Sequence, residues 1–143
     1  GVGSLSCIDA TKTGDITKSG KVWSFDKIGR SISTVAIADS LLYAAEYSGK
    51  VHCMDAATGK EYWVHDLQAH VWASPVVAAG KVYIGAEDGS FVVLAAGKEK
   101  KVISKTQFPS AVYATAVVAN GVLYVQTHTH LYAITKTTPP TKP

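Results

Sequence analysis

Helix formers are scarce in this chain: its 143 residues include 7 Leu, 4 Glu and 1 Met, whereas Val, Ile and Thr together supply 38. β-branched side chains lose rotamer freedom in helices and pack well on pleated sheets, so an all-β chain is expected. Charge is sparse too, at 17% of residues against 47% hydrophobic, which excludes an intrinsically disordered chain. No apolar run approaches the roughly 20 residues of a helical membrane span, so no transmembrane segment is expected. The net charge of +3 is small and scattered and offers no basic patch for nucleic acid. Two cysteines, Cys7 and Cys53, are too few for a disulfide scaffold or a cysteine zinc site.

The ends carry their own expectations. The chain opens Gly1-Val2-Gly3 without an initiator Met, and its first thirty residues lack the apolar core of a signal peptide. It reads as an excerpt of something longer, or as a chain whose leader has been removed. Residues 136–143 close the stretch TKTTPPTKP, which has three prolines and no apolar residue, and are expected to form a disordered tail.

What is present in abundance is internal similarity, which has to be read before individual elements. Tyr43, Tyr83 and Tyr124 recur at intervals of 40 and 41 residues, as do Thr34, Ser74 and Thr115. Gly49 and Gly89 keep the same interval, and Val51, Phe91 and Leu131 continue it. Leu5-Ser6-Cys7-Ile8-Asp9-Ala10 matches Val51-His52-Cys53-Met54-Asp55-Ala56, and Trp23 precedes Trp63 by 40 residues. Each unit reads as four short strands, A to D. Strand A is the Ser74-Pro75-Val76-Val77 type and ends at Asp39-Ser40, Ala79-Gly80 or Asn120-Gly121. Asn-Gly between alternating apolar segments signals a tight hairpin, because both residues tolerate positive φ. Strand B carries the repeated Tyr, strand C follows the Gly49 or Gly89 turn, and strand D carries Trp63 or Ile103. Runs such as VVA and FVVL read as strands buried on both faces.

A four-stranded antiparallel unit repeating every forty residues is the pattern of a β-propeller blade; a β-sandwich with coincidental similarity is the alternative. The unit also resembles the pyrroloquinoline-quinone-binding-like (quinoprotein alcohol-dehydrogenase-like) propeller repeat. The resemblance rests on the SPVV-type strand A, on GKVYIGAEDGS, and on Asp55-Ala56-Ala57-Thr58-Gly59-Lys60-Glu61-Tyr62-Trp63, which matches that family's aspartate, Thr-Gly-Lys turn and docking tryptophan. Departures exist. Ala95, Gly97 and Ile103 replace Asp, Thr and Trp in one unit, extra residues lie between Gly14 and Lys21, and His128-Thr129-His130 replaces the turn glycine in the last.

The expected organisation is a partial blade of strands C and D over residues 1–30, a blade over 31–70, a blade over 71–111, and a partial blade of strands A to C over 112–135. That makes thirteen strands, about three blades' worth. A closed ring needs at least about four blades, so the expectation is a segment of a larger propeller, completed by remaining blades or by another copy of the chain in a homo-oligomer.

Propeller function sits mainly in the loops at the ring's mouth. The D-to-A loops are expected at Lys27–Arg30, Gln68–His70 and Pro109–Ser110, and the B-to-C loops at Glu46-Tyr47, Glu87-Asp88 and His128-Thr129. Strand A is expected to begin at Ile32, Trp72 and Tyr113. A binding face is therefore expected from Trp72 and Tyr113, ringed by Arg30, Glu46, His70, Glu87, Asp88 and His128. The competing reading has the two aromatics filling gaps between blades and the charges solvating a loop surface. Trp23 and Trp63 read as structural docking residues that tie blade to blade. Lys98-Glu99-Lys100-Lys101 reads as a solvated turn.

No catalytic residues are assigned, since neither a phosphate-loop pattern nor G-x-S-x-G occurs. No metal site is assigned either: His128 and His130 would share one face of a strand, but zinc needs a third ligand. The resemblance implies that quinone enzymes sandwich their cofactor between a tryptophan and an adjacent-cysteine disulfide, with calcium on carboxylate and amide oxygens. Cys7 and Cys53 are not adjacent and read as buried free thiols, so no cofactor is expected, pyrroloquinoline quinone with calcium included. The expected function is a non-catalytic scaffold binding a protein or small ligand. This is similar to the propeller lipoprotein of the outer-membrane β-barrel assembly machinery, which binds a partner polypeptide. The alternatives are part of a quinone-dependent dehydrogenase, or a sensor propeller of a signalling protein. The resemblance implies an extracytoplasmic location, periplasmic or secreted.

Overall fold

The computed structural model describes residues 2–136; the tail expected over 136–143 lies outside them except for Lys136. The described residues form thirteen strands: β1 Val2–Ile8, β2 Lys21–Gly29, β3 Ala36–Ala38, β4 Leu41–Ala45, β5 Lys50–Asp55, β6 Glu61–Asp66, β7 Val76–Ala78, β8 Lys81–Gly85, β9 Ser90–Ala95, β10 Val102–Gln107, β11 Val117–Ala119, β12 Val122–Gln126 and β13 Leu131–Ile134. They pair antiparallel with their chain neighbours into four sheets: β1-β2, β3-β4-β5-β6, β7-β8-β9-β10 and β11-β12-β13. These are blades and part-blades of a propeller, built from local hairpins.

The A–B hairpins close through pairs of residues with positive φ: Asp39 and Ser40, Ala79 and Gly80, Asn120 and Gly121. That is the type I′ geometry whose twist suits flanking strands. Asn-Gly adopts it without strain, and the other two pairs reach it because the strands on either side fix the ends. In the Thr-Gly-Lys turn, Gly59 has φ +72, and a Cβ there would come within 2.5 Å of the Trp23 ring. Both the backbone and the packing therefore require glycine.

The cores lie between sheets. Leu41, Tyr43, Val51 and Trp63 of one blade pack with Val71, Val82, Ile84 and Leu94 of the next. Phe91 and Phe108 meet Val112 and Val125 at the following interface, and Ile28 meets Leu42, Ala44 and Met54 at the preceding one. Two tryptophans of outer strands lock successive sheets. The Trp23 indole N–H donates to the Ala56 carbonyl at 3.1 Å, and the Trp63 N–H donates to the Gly97 carbonyl at 2.9 Å. The Gly97 amide in turn donates to the Tyr43 hydroxyl at 3.0 Å. Burial and the neighbouring Cys53 push the Tyr43 phenol up to about 12.

A second seam joins the sheets near the innermost strands. The Thr34 amide donates to Ser74 Oγ at 2.9 Å, and the Ser74 amide donates to Thr115 Oγ1 at 2.9 Å. One repeat position thus ties each unit to the next.

Two expectations change. Inner strands have only three residues and start at Ala36, Val76 and Val117, four residues beyond Ile32, Trp72 and Tyr113. Those three side chains belong to the loops entering strand A, because the chain must first cross from the outer strand of one sheet to the centre of the next. The VVA runs are also not buried on both faces: β7 is half-buried and β11 exposed, with Val117 56% accessible. An inner strand faces the axis, where no further sheet covers it. FVVL, in the interior strand β9, is largely buried, with only Val93 half-buried.

Candidate functional site

Three backbone hydrogen bonds of equal length set the loop face. The amides of Tyr47, Glu87 and His128 donate to the carbonyls of Arg30, His70 and Ala111, each at 2.8 Å. Each B-to-C turn is thereby pinned to the D-to-A loop beside it, and Tyr47, Glu87 and His128 become equivalent positions. Trp72 and Tyr113 lie two residues beyond the accepting carbonyls of His70 and Ala111, between these pins.

The side chains make a continuous arc. The Arg30 guanidinium lies over the Tyr47 ring, 5.3 Å from its centroid. Tyr47 stacks on the His70 imidazole at 4.4 Å and 12°. It also meets Trp72 edge to face at 5.2 Å and 90°. Trp72 meets Tyr113 at 6.0 Å and 88°, and Tyr113 meets His128 at 6.2 Å and 74°. Edge-to-face pairs of this kind are favourable beyond their buried area and fix ring orientation. The Trp72 indole N–H donates to Glu87 Oε2 at 2.8 Å, and His70 Nδ1 lies 3.6 Å from the same oxygen. Although held on both sides, Trp72 and Tyr113 remain 43% and 42% exposed.

Several openings border the arc, and two of them adjoin Trp72 and its partners His70, Glu87 and Tyr113. A shallow cleft of about 500 Å³ is lined by Ser48, Gln68, Ala69, His70, Glu87 and Asp88. A smaller corner of about 220 Å³ is lined by Trp72 and Tyr113 alone. In the cleft, Asp88 Oδ1 accepts from the Ser90 amide at 2.9 Å. Burial works to raise the Asp88 carboxyl, but hydrogen bonding from Ser90 and the charge of Lys105 outweigh it and hold the group below its ordinary value.

The structure therefore brings Arg30, His70, Trp72, Glu87, Tyr113 and His128 into one band, with Asp88 in the adjoining cleft. It separates Glu46 from them. Glu46 is only 5% exposed: Oε1 accepts from the Gly29 amide at 2.8 Å and from His52 Nε2 at 2.8 Å, while Oε2 accepts from Ser48 Oγ at 2.6 Å. Its role is to bind strand β2 to the next sheet. The interval relating Tyr43 to Tyr83 sets Glu46 opposite the buried Ala86 and Tyr47 opposite Glu87. Tyr47, the hub of the arc, is thus the residue of its turn that joins the face, and its register with Glu87 is the signal in the sequence that points to it.

His52, with 3% exposure, has its second ring nitrogen 2.7 Å from Glu61 Oε1. Both ring nitrogens thus face carboxylate oxygens, one on Glu46 and one on Glu61. Among the described residues no group of three or more His, Cys, Asp or Glu is placed to hold a metal ion. His130 Nδ1 contacts Thr129 Oγ1 at 2.8 Å. Both cysteines are free; Cys53 is fully buried, and burial pushes its thiol up to about 11.

Sheets, inter-blade tryptophans and loop-face arc together define a propeller of the quinoprotein-like repeat class. The family model described as outer membrane protein assembly factor BamB matches residues 3–138, and the chain belongs to that family. Among solved structures, BamB from Moraxella catarrhalis superposes with a TM-score of 0.77 at 19% identity, covering 93% of this chain and 40% of that one. The quinohemoprotein alcohol dehydrogenase ADHIIG from Pseudomonas putida HK5 gives 0.60 at 17% identity, covering 76% and 24%. At such identities the likeness speaks for the fold. Curated relatives include a quinohemoprotein alcohol dehydrogenase of Comamonas testosteroni, 27% identical over 116 residues. A 1-butanol dehydrogenase (cytochrome c) of Thauera butanivorans is 26% identical over 127 residues. The chain covers 16% and 18% of those two relatives' lengths.

Proposed function

We propose that this chain is the non-catalytic binding part of an extracytoplasmic propeller, and that its loop-face arc receives a polypeptide partner. The observation that carries this reading is the pair of exposed rings Trp72 and Tyr113, each held by neighbours at both sides. Exposed aromatics that are already ordered give contact area at little entropic cost, as binding hot spots do. The solved relative described as BamB, and the assembly-factor family to which the chain belongs, support a scaffold role. The test is an array of immobilised 15-residue peptides probed with the native chain and with a Trp72→Ala/Tyr113→Ala variant. Native binding to a subset of peptides, weakened at least tenfold in the variant, is the expected outcome. Equal binding by both proteins, or none by the native chain, overturns the reading.

A second reading has one specific observation behind it, that both curated relatives are alcohol dehydrogenases. The residues described here do not suit a quinone with calcium. Cys7 and Cys53 are free thiols on different sheets, and Cys53 is sealed with its thiol directed to the Gly97 carbonyl. Adding pyrroloquinoline quinone and calcium discriminates the two readings. A thermal shift or a change in quinone absorbance would favour the dehydrogenase; neither is expected.

A further inference from the structure

The corner between Trp72 and Tyr113 has a chemistry more specific than general stickiness. Its walls are two aromatic rings at 88° to one another. Behind one wall stands a carboxylate: Glu87 Oε2 accepts the Trp72 indole hydrogen at 2.8 Å. An anionic acceptor on the indole N–H pushes electron density into the ring and makes its face more attractive to a cation. Trp is already the strongest of the aromatic partners in such contacts. Among the described residues no lysine or arginine lies within salt-bridge distance of Glu87, whose only ion-pair neighbour is His70 at 3.6 Å. The carboxylate is therefore short of positive charge while remaining accessible.

The same arc already displays the interaction one ring away. There the chain's own Arg30 places its guanidinium 5.3 Å from the Tyr47 centroid. At the last pin the residue corresponding to Arg30 is Ala111, so the Tyr113 end has no such cation from its own loop. The geometry points to the Trp72–Tyr113 corner, backed by Glu87, as a receptor for one arginine side chain of the partner polypeptide. Arginine fits better than lysine for two reasons. Its planar guanidinium lies flat on a ring, and it is more weakly hydrated than an ammonium, so it gives up less water on entering an apolar corner. This assignment rests on the binding-face reading above and specifies which residue the partner must present.

The test uses the full chain and two peptides, Ac-Val-Arg-Val-NH2 and its citrulline analogue, which keeps the shape but lacks the charge. The Trp72 indole N–H resonance, identified by its loss in Trp72→Phe, reports occupancy. The expected result is a saturable shift with the arginine peptide. The citrulline peptide should bind at least tenfold more weakly, and Glu87→Gln should weaken arginine binding about tenfold while the remaining resonances stay dispersed. Equal binding of the two peptides, an unchanged affinity in Glu87→Gln, or no shift with either peptide overturns the receptor. Those failures leave the array result with Trp72→Ala/Tyr113→Ala untouched, so the two readings fall separately.

Discussion

Glu46 and His52 show how a titratable pair can be structural in a protein whose surface charges are few. The Glu46 carboxylate faces burial, which tends to raise its pKa, but donors from Ser48, Gly29 and His52 more than compensate and bring it below the ordinary value of 4.5. A folded pKa below the unfolded one means that the folded state binds fewer protons in acid. The stabilisation is complete above the ordinary carboxylate range and is lost as pH falls through the folded value. Replacing Glu46 by Gln leaves the Gly29 amide an acceptor but removes the carboxylate charge that His52 and Ser48 face, and breaking a buried pair in this way costs about 3 kcal/mol. Urea unfolding at pH 7 and at pH 3.5 checks this: native and Glu46→Gln proteins should differ strongly at neutral pH and converge in acid. A constant difference between the two pH values would refute the assignment.

At the scale of elements, the tryptophans of the outer strands are the clearest couplings between sheets. Trp63 fills the space between β6 and the turn of the following sheet, with its N–H on Gly97 and its ring 6.0 Å from that of Tyr43. Truncation to Ala should cost about 3–5 kcal/mol, and amide exchange in β8 and β9 should quicken with it, since those strands share the core cluster. Ile103, at the corresponding place in β10, is exposed, and its truncation should change stability by less than about 0.5 kcal/mol. Thermal melts of the two variants provide the comparison.

Much at this level was legible beforehand. The Asn120-Gly121 turn follows from residues that accept positive φ, and the strand sequence from the forty-residue period, because both are encoded locally; Ala79 reaches the same geometry through its flanking strands. The length of the inner strands was not. A Pro-Val-Val run reads the same whether it pairs for three residues or for six, and only convergence of loops near the axis shortens it. Tyr47 was readable in principle from its register with Glu87, whereas the arc's ring angles depend on how neighbouring sheets splay and have no counterpart in the one-dimensional pattern.

For the molecule as a whole, the described residues make a partial propeller with apolar side chains on its last sheet exposed, Leu131 to 68% and Val117 to 56%. Apolar area of this kind at a sheet face and edge favours association. The seam of Thr34, Ser74 and Thr115 bears on how such a structure tolerates change. It keeps the distance from one inner strand to the next constant, like teeth on a small gear, while the rim is free to vary: β2 has nine residues and β10 six, and the β1–β2 connection is long. Two glycines inserted between Gly14 and Lys21 should therefore shift the melting midpoint by only a degree or two, loop closure growing slowly with length. One residue inserted between Trp72 and Ser74 should lower it severalfold more, and circular dichroism melts of the two insertions measure the contrast. Growth in such a chain is channelled outward, and the inner strands keep their spacing however much the rim beyond them is decorated.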